Sequence, residues 1–519
     1  MNDSFRSVVF LIALLLLPAF GVYIVCGMID FSASAYWPAI VWLTVFAVLA
    51  LNNSHMLVCS IVALWPRKGH VSEMEHSGAG TDVLYVVRNE TADLLFTTMS
   101  ASLAGIMGLN AHLWLLSNSD DLTVHSAECG VISRLQEKGG AEKVSLFWAR
   151  RNSLRRKHTG IHEWLEAHPE AGSIVICDAD TILPPGSVEK LLRKAAHPDN
   201  AGIALFQSHI RPVDAETRFA VMLSFGQEIA QRIYARAHQR VFRRSAYYGS
   251  GCLIRAGAYR NAIVPAWVLS HDIWETVALE QHGWRVVFCE DVVTFGRFPP
   301  NMLDFMRRGR RWIVGTMESL PLLVLPGIPL GTRFLVLLPI YLYVSQPLLL
   351  IWIAIGFGLS SSLGPLLTVQ AFALAGSGYV HLEMSSCLLF TVAIVFGHRF
   401  TQCRTVREVS EAMLELAASI VLCLNCILFD SVTVLAALCR RRRVYEWVRA
   451  EKQTRRLKLR AVAAELWLST VVGVIATAVG VSYAFHWALI ASPFLVSFCL
   501  GIPAAYWTAQ RPGGNQPLR

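Results

Sequence analysis

Two groups of long apolar runs, separated by an interval that has none, fix most of what this chain can become. Residues 8–29 and 37–64 open it, residues 333–357, 379–397, 416–438, 466–483 and 487–508 close it, and no run of that length occurs between Thr81 and Trp312. A bilayer span needs about 20 apolar residues. In lipid every backbone N–H and C=O must be satisfied within the segment, so each run is predicted to be helical. Composition agrees: apolar residues make up 54% of the 519 and charged residues 16%, against about 25% charged in soluble domains. That argues against a disordered chain and against an ordinary soluble enzyme. The net charge of +9 then belongs to membrane loops, which are basic on one side, rather than to a nucleic-acid surface. The first run, with Arg6 ahead of it, has the look of a secretory leader, but its length and the second run directly behind it mark a retained span. The twelve cysteines are scattered and read as small reduced core residues. Cys423 and Cys426 lie inside an apolar run with no second pair nearby, unlike a metal or redox motif.

Lysine and arginine placement sets the orientation. Residues 30–36, 358–364 and 484–486 contain neither, whereas Arg67, Lys68, Arg399, Arg404, Arg407 and Arg440–Arg443 mark the opposite side. Basic loops flank residues 416–438 at both ends, so a full crossing there would break the rule. A segment that dips in and returns, or lies in the interface, removes the conflict, and its Asn425 and Asp430 are costly against lipid. The alternative is an ordinary seventh span that violates the charge rule. The expected organisation has six full spans: two N-terminal transmembrane helices (1–72), a cytoplasmic domain (73–320), a C-terminal transmembrane region (321–510) with the re-entrant or interfacial segment, and a cytoplasmic tail (511–519).

Within the interval, short apolar strands alternate with amphipathic helical patterns. Strands are predicted over 83–87, 112–117, 145–148, 174–177, 202–206, 248–254 and 285–289, and helices over 186–196, 217–240 and 272–282. Such alternation implies a mostly parallel sheet covered on both faces, with ligands bound beyond the carboxyl ends of its strands. The first strand runs into Arg88-Asn89-Glu90, the second into Asn118-Ser119-Asp120, and the fourth into Asp178-Ala179-Asp180. Carboxylates bridged to phosphates suit Mg2+ or Mn2+, hard ions that protein alone seldom cages; the plainer reading is a capped turn. Ser270-His271-Asp272 opens a helical pattern, where Asp is also a good N-cap. Arg307-Arg308-Gly309-Arg310-Arg311-Trp312 ends the interval, where arginines and tryptophan also serve as membrane anchors.

Taken together, these stretches resemble the processive family 2 glycosyltransferases, which include cellulose and hyaluronan synthases. Within them the resemblance is closest to the glucosyltransferase H type, which builds osmoregulated periplasmic glucans. It is carried by Asp178-Ala179-Asp180, residues 268–272, Gly283-Trp284, residues 299–304 and Arg310-Arg311-Trp312, with Tyr248-Gly249, Arg255 and Lys157 in support. It covers residues 82–319 and, by topology, the flanking spans. The resemblance implies an α/β GT-A domain, doubly wound and nucleotide-sugar-binding, inserted in a polytopic helical membrane domain of the bacterial inner membrane. It further implies inverting transfer from UDP-glucose to a β-glucan acceptor, with Asp272 as general base and Asp178 and Asp180 holding Mg2+ or Mn2+. Lys157, Arg308 and Arg311 would meet the diphosphate, Glu90 and Asn118 the nucleoside, and Trp312 the acceptor sugar. A periplasmic glucan-processing partner follows from the same resemblance; a nucleic-acid partner does not.

The sequence also departs from the family pattern. Arg308 replaces the family's glutamine, Ser270-His271-Asp272 stands for Thr-Glu-Asp, and Asn118 for a uracil-binding Asp. A long cytoplasmic N-terminal region and a regulatory nucleotide-binding domain after the last span are expected to be absent. Glu383, Asn425 and Asp430 lie at membrane depth, where polar groups either line a glucan path or pair between helices. Two rivals differ in kind. A cellulose-, chitin- or hyaluronan-like synthase would share the machinery, and an inactive transporter or scaffold would have no use for Asp178, Asp180, Asp272, Arg311 and Trp312 together.

Overall fold

The computed structural model describes residues 3–26, 36–65, 71–74, 78, 80–150, 154, 156–359, 397–439, 457–484, 488 and 491–511. Helices α1 (Asp3–Cys26) and α2 (Tyr36–Leu64) come first, and a seven-stranded sheet follows. Its strands are β1 (Thr81–Val87), β2 (Ala111–Ser117), β3 (Val144–Trp148), β4 (Ser173–Cys177), β5 (Ile203–Pro212), β6 (Cys252–Arg255) and β7 (Arg285–Gly296). Their order is β3-β2-β1-β4-β6-β5-β7. All neighbouring pairs are parallel except those of β6, which runs antiparallel to both β4 and β5. The doubly wound, mostly parallel sheet is therefore present, with one reversed strand inside it.

Strands β1 and β4 are near-continuous apolar runs because both of their faces are covered. Val83, Tyr85 and Leu113 pack beneath α3 (Ala92–Ile106), α4 (Leu122–Leu135) and α6 (Ser187–Ala196). Leu84, Val86 and Ile176 pack on the other face beneath α5 (Lys157–Ala167), α9 (Ala256–Asn261) and α10 (His271–Gln281). All seven predicted strands occur, but three differ in extent. Residues 248–251, expected in a strand, form a loop whose Gly249 and Gly251 have φ of +83° and +63°. Strands β5 and β7 continue past their apolar starts through a bulge between Ser208 and His209, because polar side chains there hide the continuation from an apolar-run reading. The predicted 217–240 helix is α7 (Arg218–Ala230) and α8 (Arg236–Phe242), joined by a π turn.

Five helices among the described residues are long and apolar enough to cross a membrane: Phe5–Tyr23, Tyr36–Leu64, Leu330–Gly358 (α12), Val406–Cys439 and Leu459–Tyr483 (α15). Exposed Leu15, Leu16 and Phe20 on α1, and Val474, Ile475 and Val481 on α15, show the outward apolar face that lipid requires. The chain is a membrane protein. Val406–Cys439 is α13 (Val406–Ala418) and α14 (Leu424–Cys439) joined by a π turn, and α16 (Ser492–Thr508) follows α15. Residues 379–396 of the predicted run 379–397, Glu383 among them, and Arg440–Arg443 lie outside the described residues.

The sheet domain and the membrane helices share cores. Phe10 and Cys59 of α1 and α2 pack with Ile233, Val241 and Phe242. Helix α11 (Met302–Met317) sets Ile313 and Met317 against Val277 of α10, Val336 and Ile340 of α12, and Val434 of α14. On its other flank Met302 and Met306 meet Leu422 and Cys426.

Candidate active site

The carboxyl ends of β1 and β4, the start of α10 and the middle of α11 enclose one open cleft. Glu90, Lys157, Asp178, Asp180, Asp272, Arg308, Arg311 and Trp312 all line it. Residues separated by more than 200 positions in sequence are thus brought to one place by a strand-end loop and two helix segments.

The strand-end side is built by short polar side chains. The Asp178 N–H donates to Thr181 Oγ1 at 3.0 Å and to Ser250 Oγ at 2.9 Å, and these two hydroxyls are 2.6 Å apart. Tyr85 OH donates to the Thr181 carbonyl at 2.7 Å. The Asp178–Asp180 loop is therefore locked through its backbone, leaving the Asp178 carboxylate half-exposed. Lys157 Nζ donates to Asp178 Oδ1 at 2.5 Å and to the Gly249 carbonyl at 2.7 Å. Asp180 is buried and accepts from the Arg297 N–H at 3.0 Å. Gly251 admits no side chain, since a Cβ there would lie 2.6 Å from Thr294 Oγ1. The left-handed φ of Gly249 and Gly251 turns the backbone out of the strand predicted over 248–254 and delivers Ser250.

The helical side is built by close packing. Ser270 is the N-cap of α10, so Asp272 lies in the first helical turn rather than at the cap. Burial raises the Asp272 carboxyl above its ordinary range, and the neighbouring His271 pulls against that shift. His271 Nδ1 lies 2.8 Å from Glu275 Oε2, and the Tyr259 hydroxyl donates to the same carboxylate. Burial opposes the charged form of His271, but Glu275 outweighs it and the imidazole is held above its ordinary value. Burial likewise opposes the charged form of Glu275, but the imidazolium outweighs it and keeps this carboxyl below its ordinary range. Behind the base candidate, then, sits a buried ion pair. Its i,i+4 spacing on one helix face is legible in sequence, but no motif singles out Glu275.

Helix α11 can approach this turn only because of Gly315: a Cβ there would fall 2.2 Å from Ser270 Oγ. Glu318 accepts from the Leu269 N–H at 2.8 Å and adds a second tie. Arg311 and Trp312, one turn before Gly315 on the same face, are thereby aimed into the cleft. Burial lowers the Arg311 guanidinium from its ordinary value, while the carboxylates of Asp178, Asp272 and Glu90 pull it back. Arg308 stacks on Trp312 with 4.2 Å to the ring centroid and also lies over Phe298 at 5.5 Å. Burial brings its pKa down to about 10. Arg156 and Arg297, which the sequence did not single out, also line the cleft. Asn118 is at the end of β2 as predicted, but is fully buried; Gly160 of α5 packs directly on its side chain, and it does not line the cleft.

Comparison with known proteins defines the class. Residues 173–401 match the family model described as Glycosyl transferase family group 2. The chain thus carries a glycosyltransferase domain between membrane helices. Among similar proteins, glucans biosynthesis glucosyltransferase H of Caulobacter vibrioides (strain NA1000 / CB15N) is 26% identical over 348 residues, covering 61% of this chain and 51% of that protein. The protein of the same name from Rhodopseudomonas palustris is 25% identical over 567 residues, covering 99% of this chain and 76% of that protein. The chain spans about half the length of the Caulobacter relative. A mannosyltransferase from Pyrobaculum calidifontis, in complex with GDP-Man and Mn2+, aligns with a TM-score of 0.45 at 15% identity, covering 76% of this chain and 99% of that chain. That likeness is too loose to bear on site or substrate.

Proposed function

We propose that this chain is an inverting glucosyltransferase of the bacterial inner membrane. In this reading it takes glucose from UDP-glucose at the cytoplasmic face and extends a β-glucan backbone, with export coupled to elongation. The observation that carries the reading is the meeting of Asp178, Asp180, Asp272, Arg311 and Trp312 in one cleft. The orientation rests on the basic loops at residues 67–68 and 399–407.

Asp178 and Asp180 offer two hard oxygen donors at a strand end, one of them half-exposed, and this donor set fits Mg2+ or Mn2+. When bound, the ion would act as a Lewis acid that offsets charge on the departing diphosphate. The chain's own residues account for the rest. Lys157 and Arg311 flank Asp178 and supply charge-assisted hydrogen bonds to phosphate oxygens. Glu90 lines the nucleoside end of the cleft, and Asn118, whose Nδ2 donates to the Arg156 carbonyl at 3.4 Å, acts on that end through the cleft-lining Arg156. Asp272 accepts the proton of an acceptor hydroxyl as that oxygen bonds to the anomeric carbon; the bond from that carbon to the diphosphate breaks, and UDP departs with the electron pair. The raised Asp272 carboxyl suits a group that must take up a proton near neutral pH. Trp312, fixed by Arg308, presents its ring face to the acceptor sugar. Beyond it, Asp430 Oδ1 lies 4.0 Å from where a Cβ of Gly309 would stand, which puts this acid at the junction of cleft and membrane helices. Asn425 instead donates to the Ser497 carbonyl in a buried pairing of α14 with α16.

The test is incorporation of labelled glucose from UDP-glucose by membranes carrying the wild type or Asp272→Asn, with linkage analysis of the polymer. Polymer from the wild type alone is expected. Use of another UDP-sugar in place of UDP-glucose would overturn the substrate, and equal incorporation by both proteins would overturn the base. No transfer from any UDP-sugar with Mg2+ or Mn2+ would overturn the enzyme.

A further inference from the structure

A second cluster of chemically capable side chains lies away from the cleft, where α8 crosses α2. His55 and Cys59 are one turn apart on α2 and so share a face; His238 reaches them from α8. His55 Nε2 lies 3.0 Å from His238 Nε2, and Cys59 Sγ lies 3.9 Å from the same nitrogen. One donor atom from each residue falls within 4.8 Å of the other two, and all three residues are buried. Two nitrogens on one tetrahedral ion with bonds of about 2.0–2.1 Å stand roughly 3.3 Å apart, and a nitrogen and a thiolate roughly 3.5 Å. The observed 3.0 Å between nitrogens is a few tenths of an ångström shorter than the first value and the observed 3.9 Å a few tenths longer than the second.

We propose that His55, Cys59 and His238 bind a thiophilic d10 ion, Cu+ or Zn2+, which staples membrane helix α2 to helix α8 of the sheet domain. The donor set is soft: two imidazoles and a thiolate, the types that select these ions over Mg2+ or Mn2+. The surroundings are dry. Tyr234 stacks on His55 with centroids 5.3 Å apart, Phe334 lies 5.9 Å from both imidazoles, and Phe242 lies 6.1 Å from His238. An apolar shell excludes competing water and strengthens binding. Three donors and one thiolate charge suit Cu+ in particular, because the complex is neutral, whereas structural Zn2+ usually takes four ligands. Binding follows a defined proton balance. One ring proton bridges the two Nε2 atoms in the ion-free protein; on binding it shifts to Nδ1 of its own ring, both Nε2 lone pairs turn to the ion, and the Cys59 thiol proton is released. Affinity therefore rises with pH.

The experiment uses the full chain in detergent, with Asp178→Asn and Asp180→Asn present so that the cleft carboxylates cannot contribute. Protein is loaded with Zn2+ or with Cu+ under reducing conditions, freed of excess, and analysed for metal per chain. One retained ion is expected, falling to near none in Cys59→Ser and in His238→Gln. Retention of copper or of zinc supports the site and identifies the ion. Equal retention by parent and Cys59→Ser, or none by either, overturns it. Should Cys59→Ser fail to fold, Co2+ loading of the parent decides: thiolate-to-cobalt charge-transfer absorption is expected, and its absence sinks the proposal.

Discussion

The two sides of the cleft handle their carboxylates in opposite ways. Asp178 stands on a strand end, half-exposed, its backbone clamped by Thr181 and Ser250 and its carboxylate met by Lys157. Asp272 stands in a helix turn whose surroundings raise it by burial, with the His271–Glu275 pair behind it. One side is organised by hydrogen bonds to the backbone, the other by packing between helices. Two acids in such different settings, one half-exposed against a lysine and one raised by burial, suit divided roles, a charge-bearing ligand on one side and a proton acceptor on the other.

The comparison can be broken most decisively at the base. Asp272→Asn is expected to cut glucose transfer by about 10²–10⁴-fold, the usual contribution of a general base, with unchanged thermal unfolding; a loss below tenfold would erase the difference between the two acids. Next comes the packing that builds the helical side. Gly315→Ala forces a Cβ against Ser270 and is expected to cost about 1–3 kcal/mol, the range for overpacked sites. That is read as a lower Tm together with lower activity, and an unshifted Tm would mean that α11 sits more loosely than described.

The pH profile sharpens the contrast. Asp272 is raised, so its ionised, base-competent form is lost as pH falls through a value above the ordinary aspartate range. His271 is raised and Glu275 lowered, so the ion pair between them is complete between the ordinary glutamate and ordinary histidine values, and is lost as pH rises through the raised His271 value or falls through the lowered Glu275 one. Activity is expected to be bell-shaped. Glu275→Gln removes the carboxylate that holds the imidazole proton, so the alkaline limb should move to lower pH while the acid limb keeps its sense. An unmoved alkaline limb would separate this pair from the base.

The smallest expected effect is at the aromatic platform. Arg308→Lys loses the planar stack on Trp312 and Phe298, a contact worth about 0.5–2 kcal/mol. Weaker acceptor use with donor KM unchanged would place Trp312 on the acceptor side; a change in donor KM alone would place it with the diphosphate.

Much of this was legible in sequence because it is local. An apolar strand that stops at Asp178 announces a strand-end acid whatever surrounds it, and the alternation of runs gave a doubly wound sheet. The partners of that acid were not legible. Ser250 reaches the Asp178 N–H from 72 positions away, through a loop that an apolar-run reading takes for strand. Gly315 looks like an ordinary helix glycine until Ser270 is seen 2.2 Å from its missing Cβ. Asn118 shows the reverse case. Its place after a strand was correct, but Gly160 packs over it and hides it from the cleft, which no pattern along the chain records.

The core shared by α10, α11, α12 and α14 has a consequence for how such a protein can be taken apart or evolve. Ile313 directly follows Trp312 and Met317 lies about a turn and a half beyond it; both are buried against Val336, Ile340 and Val434 of the membrane helices. Cutting the chain at the edge of the bilayer would strip that helix of its support and leave only the strand-end half of the cleft intact. The sheet domain is therefore no transferable cassette: exchanging it between relatives demands that the membrane helices travel with it.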